Sequence, residues 1–246
     1  MKYLLSCILI LSSFTSFAAK ADKNVLLVVT NHSELGKTGK KTGYYLAEVA
    51  HPYFKFVKAG LKVTFASPNG GHAPLDPTSL DLKDPENKKF YENKSLMKKL
   101  DNTVSLNNVN PKDYQAIVFA GGHGTMWDFP NSKKLNEVAE NIYKNGGIVA
   151  AVCHGPAALV NLKGENGKYL IDGVKVAGFT NKEEEIVKLT KEMPFLLEDK
   201  LKDRGAIFEA AKPWQEKVVA DKRIVTGQNP ASANQLGKVV VDLLKK

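Results

Sequence analysis

The chain has 246 residues, 43% hydrophobic and 25% charged, the proportions of a globular protein large enough to bury a substantial core. Its formal net charge is +9, but the basic residues fall as scattered pairs such as Lys40-Lys41, Lys88-Lys89 and Lys133-Lys134, interleaved with acids. With neither a basic stripe nor interleaved aromatics, that charge reads as solvated surface and excludes a nucleic-acid-binding face.

Taken in chain order, Met1-Lys2, the apolar run over residues 3–17 and the small-residue site Ser16-Phe17-Ala18 predict a signal peptide over 1–18, with Ala19-Lys20-Ala21 as a second cleavage site. A single domain over 19–246 remains. The run is shorter than the ~20 residues of a membrane span, so no stable membrane insertion is expected. Removal of 1–18 takes away Lys2, changing the charge from +9 to +8, and also Cys7. Cys153 would then be the single thiol of an exported, periplasmic or secreted protein. Residues 24–30 form a continuous apolar strand, 43–59 a helix stopped by Gly60, and 62–68 another strand. A polar excursion over 70–108 holds loop and short helix. Strand 114–120 ends in Gly121-Gly122-His123-Gly124, helix 131–145 follows, and strand 148–152 runs into Cys153. Residues 175–180 read as a strand, Glu183-Glu184-Glu185 opens a helix, 217–226 holds a hairpin and 231–245 is the closing helix. This alternation predicts an α/β sandwich with a mainly parallel sheet, whose ligands bind beyond the carboxyl ends of the strands. Cys153, Gly122, His123 and the acids after Thr180 all fall at such ends.

Cys153 sits where an apolar strand turns into a helix, with Ala151 and Gly155 two residues to either side, the layout of a nucleophile elbow. The helix dipole there would favour thiolate, and the His154 N–H would be one oxyanion donor. The alternative is a buried structural cysteine. Among His32, His51, His72, His123 and His154 no pair has the i, i+4 spacing of a zinc protease, and no phosphate loop or dinucleotide fingerprint occurs, so neither metal nor cofactor is expected.

Five separated motifs carry a resemblance: Lys41-Thr42-Gly43 through Glu48 to His51-Pro52; Gly122-His123-Gly124-Thr125 with Asp128-Phe129-Pro130; Ala150 to Ala157 around Cys153; Gly178-Phe179-Thr180 with Glu184; and the run from Val225 through Gly227-Gln228-Asn229-Pro230 to Ser232. In these the chain resembles the PfpI superfamily, the class I glutamine-amidotransferase-like fold that includes the parkinsonism-associated protein deglycase. The similarity is greatest to its branch of glutathione-independent glyoxalases and thirty-one-kilodalton heat-shock chaperones. The resemblance implies a flavodoxin-like three-layer sandwich with Cys153 as nucleophile, Glu48 as the acid beside it, His154 as catalytic neighbour and Glu184 orienting His154, with Glu183 and Glu185 as immediate competitors. Gly122 is expected as an oxyanion donor, with His123 and Gly155 beside it in the pocket. The apolar surroundings of Glu48 should raise its pKa toward neutrality. The implied activity is conversion of methylglyoxal or a related 2-oxoaldehyde to a 2-hydroxy acid through a Cys153 hemithioacetal. The alternatives are a holding chaperone, suggested by Tyr53, Phe54 and Trp127, a protein deglycase, or a cysteine amidase or peptidase. The partner is a small molecule, and a homodimer is left open.

Overall fold

The computed structural model describes residues 23–246. The segment read as a signal peptide lies outside them. Near the centre of the sheet is β1 (Asn24–Val28), whose run Val25-Leu26-Leu27-Val28 is buried on both faces of the sheet. It pairs in parallel with β2 (Lys62–Ser67) on one side and β4 (Ala116–Phe119) on the other. The short β3 (Val104–Ser105) extends the sheet beyond β2. Beyond β4 lie β5 (Ile148–Val152), then β9 (Ile224–Gly227), both parallel, and finally β8 (Val218–Asp221), antiparallel to β9. The order is therefore β3-β2-β1-β4-β5-β9-β8, a mainly parallel flavodoxin-like sheet whose chain direction switches between β1 and β4.

Strand order also places the helices. The crossover from β1 to β2 through α1 (Leu46–Lys58) and that from β4 to β5 through α5 (Lys133–Lys144) run in opposite directions across the sheet. Right-handed connections then put α1 and α5 on opposite faces. The closing helix α8 (Ala233–Lys245) packs on α1, while α5 packs on β4 and β5. Ser132 caps α5 by accepting from the Leu135 N–H at 3.2 Å. The polar excursion holds two short helices, α2 (Pro85–Tyr91) and α3 (Lys94–Asp101), each capped by the side chain before it, Asp84 and Asn93. Of the remaining helices, α4 (Thr125–Asp128) follows β4, whereas α6 (Asn181–Ile186) and α7 (Leu197–Asp203) belong to the segment between β5 and β8.

Two expectations are corrected. The segment after Cys153 is a 3₁₀ helix of five residues, Gly155–Leu159, too short to supply the dipole invoked for the sulfur. The strand expected over 175–180 shrinks to β6 (Lys175–Val176), paired with β7 (Ile207–Phe208) in a separate two-stranded sheet. Beyond Val176 the backbone donors go elsewhere: the Ala177 N–H donates to Thr226 Oγ1 at 2.7 Å and the Phe179 N–H to the Cys153 carbonyl at 2.8 Å. Irregular backbone here thus ties the loop to the carboxyl ends of β5 and β9.

Candidate active site

Cys153 leaves β5 with φ of 60°, in the left-handed region that a residue with a Cβ seldom enters. Its N–H donates to the Gly227 carbonyl at 2.9 Å and its carbonyl accepts from Phe179, so the turn is held by the end of β9 and by the loop after β6. The strain is the signature of an elbow that presents a side chain rather than continuing a strand. Across from it, Gly121 faces the site with no side chain. A Cβ there would stand 2.6 Å from Glu48 Oε2 and 2.7 Å from the His154 nitrogen. The sequence reading named Gly122 and passed over Gly121, although it is Gly121 that lets α1 and the elbow meet. Gly122, at φ of 101°, lies against the Gly43 carbonyl, and its N–H has no protein acceptor among the described residues. For Gly155 the structure gives a packing reason, since a Cβ would come within 2.3 Å of the Phe119 carbonyl oxygen.

The elbow turns the His154 ring back toward the sulfur. Cys153 Sγ lies 3.4 Å from His154 Nδ1, and His154 Nε2 lies 2.7 Å from Glu184 Oε2. Of the three consecutive glutamates, Glu184 is therefore the one whose carboxyl reaches the imidazole. Burial alone would raise the Glu184 carboxyl, but attraction to His154 and hydrogen bonds from His123 and His154 outweigh it and hold it at about 2. Burial, with His123 alongside, lowers the His154 pKa. The pair therefore rests as neutral imidazole on ionised carboxylate, with the proton on Nε2 and the Nδ1 lone pair facing the thiol. His123 donates to the other oxygen, Glu184 Oε1, at 3.0 Å, and its ring lies 4.1 Å from that of His154.

On the other side of the sulfur is Glu48, completely buried on the first turn of α1. Its Oε2 accepts from the Gly121 N–H at 2.7 Å, while its buried Oε1 has no hydrogen-bond partner among the described residues. Burial pushes it up from 4.5 to about 8, so near neutrality it holds its proton. Burial and the Glu48 carboxyl likewise push the Cys153 thiol well up. This corrects one expectation. The resting sulfur is a thiol, because burial outweighs a one-turn helix.

Glu183 is a neighbour that sequence reasoning left as a rival for Glu184. Its carboxylate is buried and accepts from the Thr180 N–H and hydroxyl, the Trp214 N–H at 2.9 Å, Gln228 Nε2 at 3.1 Å and Asn229 Nδ2 at 2.9 Å. It also completes a capping box with Thr180 at the start of α6. The Gln228-Asn229 motif thus pins the turn that carries Glu184. Among the described residues, His123, His154 and Glu184 bring three potential metal-ligand atoms within 4.8 Å of one another. Local spacing missed this grouping because it is assembled from three segments far apart in sequence, and the Nε2 of each ring is already spent on a carboxylate oxygen. A cleft of about 680 Å³ lined by Tyr143, Tyr169 and Arg223 opens at the amino ends of β5 and β9, the wrong end of the sheet for Cys153. The aromatics offered for a chaperone surface are engaged: Tyr53 stacks on Phe65, Phe54 meets Phe90 edge-on, and Trp127 stacks on His32.

Residues 41–243 match the model of the DJ-1/PfpI family. The chain belongs to the DJ-1/PfpI family. Within it, the chain is 38% identical to a glutathione-independent glyoxalase of Saccharomyces cerevisiae, over 92% of this chain and 99% of the relative. It is 36% identical to glyoxalase 3 of Candida albicans, over 88% and 96%. Among solved structures it resembles the rapid encystment protein of Francisella tularensis, at 44% identity and a TM-score of 0.87 over 90% of this chain and 99% of that one. It also resembles glyoxalase III of Candida albicans, at 35% identity and a TM-score of 0.83 over 89% and 96%. These comparisons correct the expected export. The DJ-1/PfpI similarity is to yeast glyoxalases along nearly their whole length, and it gives no support to a signal peptide or to a periplasmic or secreted location. The expectation rested on an apolar run beside one lysine, a signal of composition alone. Among the described residues, no helix is long and apolar enough to cross a membrane.

Proposed function

We propose that the protein is a glutathione-independent glyoxalase that converts methylglyoxal or a related 2-oxoaldehyde to the 2-hydroxy acid, D-lactate in the case of methylglyoxal. The observation that carries this reading is a single sulfur set between a neutral imidazole acceptor, Nδ1 at 3.4 Å, and a buried carboxyl that keeps its proton to about pH 8. An enzyme with its own thiol in such a place has no need of the thiol of glutathione, and two proton-handling groups of different acidity suit an isomerisation.

The cycle follows from those positions. His154 Nδ1 takes the Cys153 proton as the sulfur attacks the aldehyde carbon. Glu48 delivers its proton to the resulting alkoxide, giving a neutral hemithioacetal and leaving a carboxylate beside the same carbon. The Glu48 carboxylate then removes the hydrogen on that carbon while protonated His154 gives its proton to the neighbouring carbonyl oxygen, forming an enediol held by the Gly122 N–H. Return of the Glu48 proton to the second carbon, with loss of the first hydroxyl proton to His154, gives a thioester of the 2-hydroxy acid. Water, activated by the Glu48 carboxylate, attacks the thioester, and protonated His154 returns a proton to the departing sulfur. Glu184, ionised throughout, stabilises the imidazolium each time it forms.

The test is lactate formation from methylglyoxal without glutathione. Cys153→Ala and Glu48→Gln should each lower turnover by at least about a thousandfold, since one removes the nucleophile and the other the proton shuttle. Substantial lactate formation by either variant would sink the mechanism.

A further inference from the structure

Trp214 is a bulky residue at φ of 65° that is 46% exposed. Neither property has a packing reason. An exposed tryptophan gains little from burial, and a branched ring on a left-handed backbone is strained wherever it occurs. The conformation is enforced from below, where its N–H is held by Glu183 Oε1 at 2.9 Å and the Gln215 carbonyl accepts from Asn229 Nδ2 at 2.8 Å. The ring is aimed at the catalytic groups. Its centroid is 5.7 Å from that of Phe179 in an edge-on contact, and Phe179 lies 4.3 Å from the His154 ring and 6.0 Å from His123. A continuous aromatic surface therefore leads outward from the imidazole that serves Cys153.

We propose that Phe179 and Trp214 form the wall that receives the substituent of the 2-oxoaldehyde, and that the site takes aryl- and larger alkyl-glyoxals as well as methylglyoxal. This rests on the glyoxalase reading and extends it to a substrate class. In an arylglyoxal the ring is two bonds beyond the carbon that the sulfur attacks, so a hemithioacetal on Cys153 directs it away from the sulfur along one wall of the site. The offered surface is apolar and edge-donating, suited to an aromatic ring and indifferent to a methyl group. The reaction stays balanced as before: phenylglyoxal and water give mandelate.

The experiment compares methylglyoxal and phenylglyoxal in the wild type, Trp214→Ala and Trp214→Phe. Trp214→Ala should lower kcat/KM for phenylglyoxal by at least about tenfold, mainly through KM, and change that for methylglyoxal by less than about threefold. Trp214→Phe should keep most of the preference. Equal losses on both substrates, or an unchanged ratio, would overturn the proposal and leave Trp214 a structural residue. A second measurement needs no turnover. The chain has two tryptophans, so in a Cys153→Ala, Trp127→Phe protein the fluorescence reports Trp214 alone. Saturable quenching by mandelate and none by lactate is expected, and no response to mandelate would count against the wall. Absence of both hydroxy acids from the wild type would defeat the glyoxalase reading instead, and the fluorescence would still judge the wall.

Discussion

A carboxyl sealed from water, as Glu48 is, keeps its proton until about pH 8 instead of releasing it near 4.5. The folded protein therefore binds one more proton than the unfolded chain between those values, and stability falls as pH rises through that window. At pH 7 the cost is on the order of 3 kcal/mol. Glu48→Gln removes the ionisation while its amide oxygen can still accept from Gly121. This variant should melt about 5 °C or more above the wild type at pH 7, with the difference vanishing toward pH 4.5; calorimetry across that range checks it, and a lower or pH-independent Tm would refute it. In the proposed cycle the same proton governs activity: Glu48 begins in its acid form, so kcat/KM should decline as pH rises through about 8. Glu184 has the opposite sign. Held at about 2 in the folded state, it contributes stability above its unfolded value of 4.5 that is lost as pH falls toward 2.

At the scale of elements, the placing of Glu48 depends on how closely α1 approaches α8. Pro52 lies inside α1 and offers no N–H to the Glu48 carbonyl one turn before it. Gly237 of α8 lies directly over it, where a Cβ would stand 2.8 Å from the Pro52 Cα. Gly237→Ala gains about 1 kcal/mol of helix propensity, but overpacking against backbone costs about 1–3 kcal/mol and cannot be relieved by turning a side chain. The expected result is a net loss of about 1 kcal/mol, a Tm lower by about 2–4 °C, and reduced kcat as Glu48 shifts from the sulfur; an unchanged Tm with full activity would contradict it. Elements were legible in the sequence where burial is two-sided, as in β1, β4 and β5, whose apolar runs leave one reading. They were not where the backbone is satisfied by distant partners, as after Val176, because Thr226 and Cys153 lie far away in sequence. Cys153 was legible through its small neighbours. Glu184 could be separated from Glu183 and Glu185 only in three dimensions, since all three share one turn and differ in what the fold brings to each.

Across the whole molecule, the candidate site draws on the loops and helices after β1, β4, β5, β6 and β7 and on the end of β9, so no contiguous segment contains it. Long-range pairing in a parallel sheet couples these pieces to one core, and the site should be lost only when that core melts. Denaturant unfolding followed by far-ultraviolet circular dichroism and by tryptophan fluorescence should give one midpoint; two separate midpoints would mean that the loop bearing Trp214 unfolds on its own. The two sides of this assembly differ in kind. Around Gly121 the lining is main chain, with no room even for a methyl group beside the Glu48 carboxyl and the His154 nitrogen. Substitution there cannot adjust the chemistry without breaking it. Opposite it, the lining is side chain, Phe179 and the exposed Trp214, supported from beneath by Glu183. A change of substrate can therefore be made on one side alone, and attempts to redirect this protein should begin at Trp214 and leave the glycine face untouched.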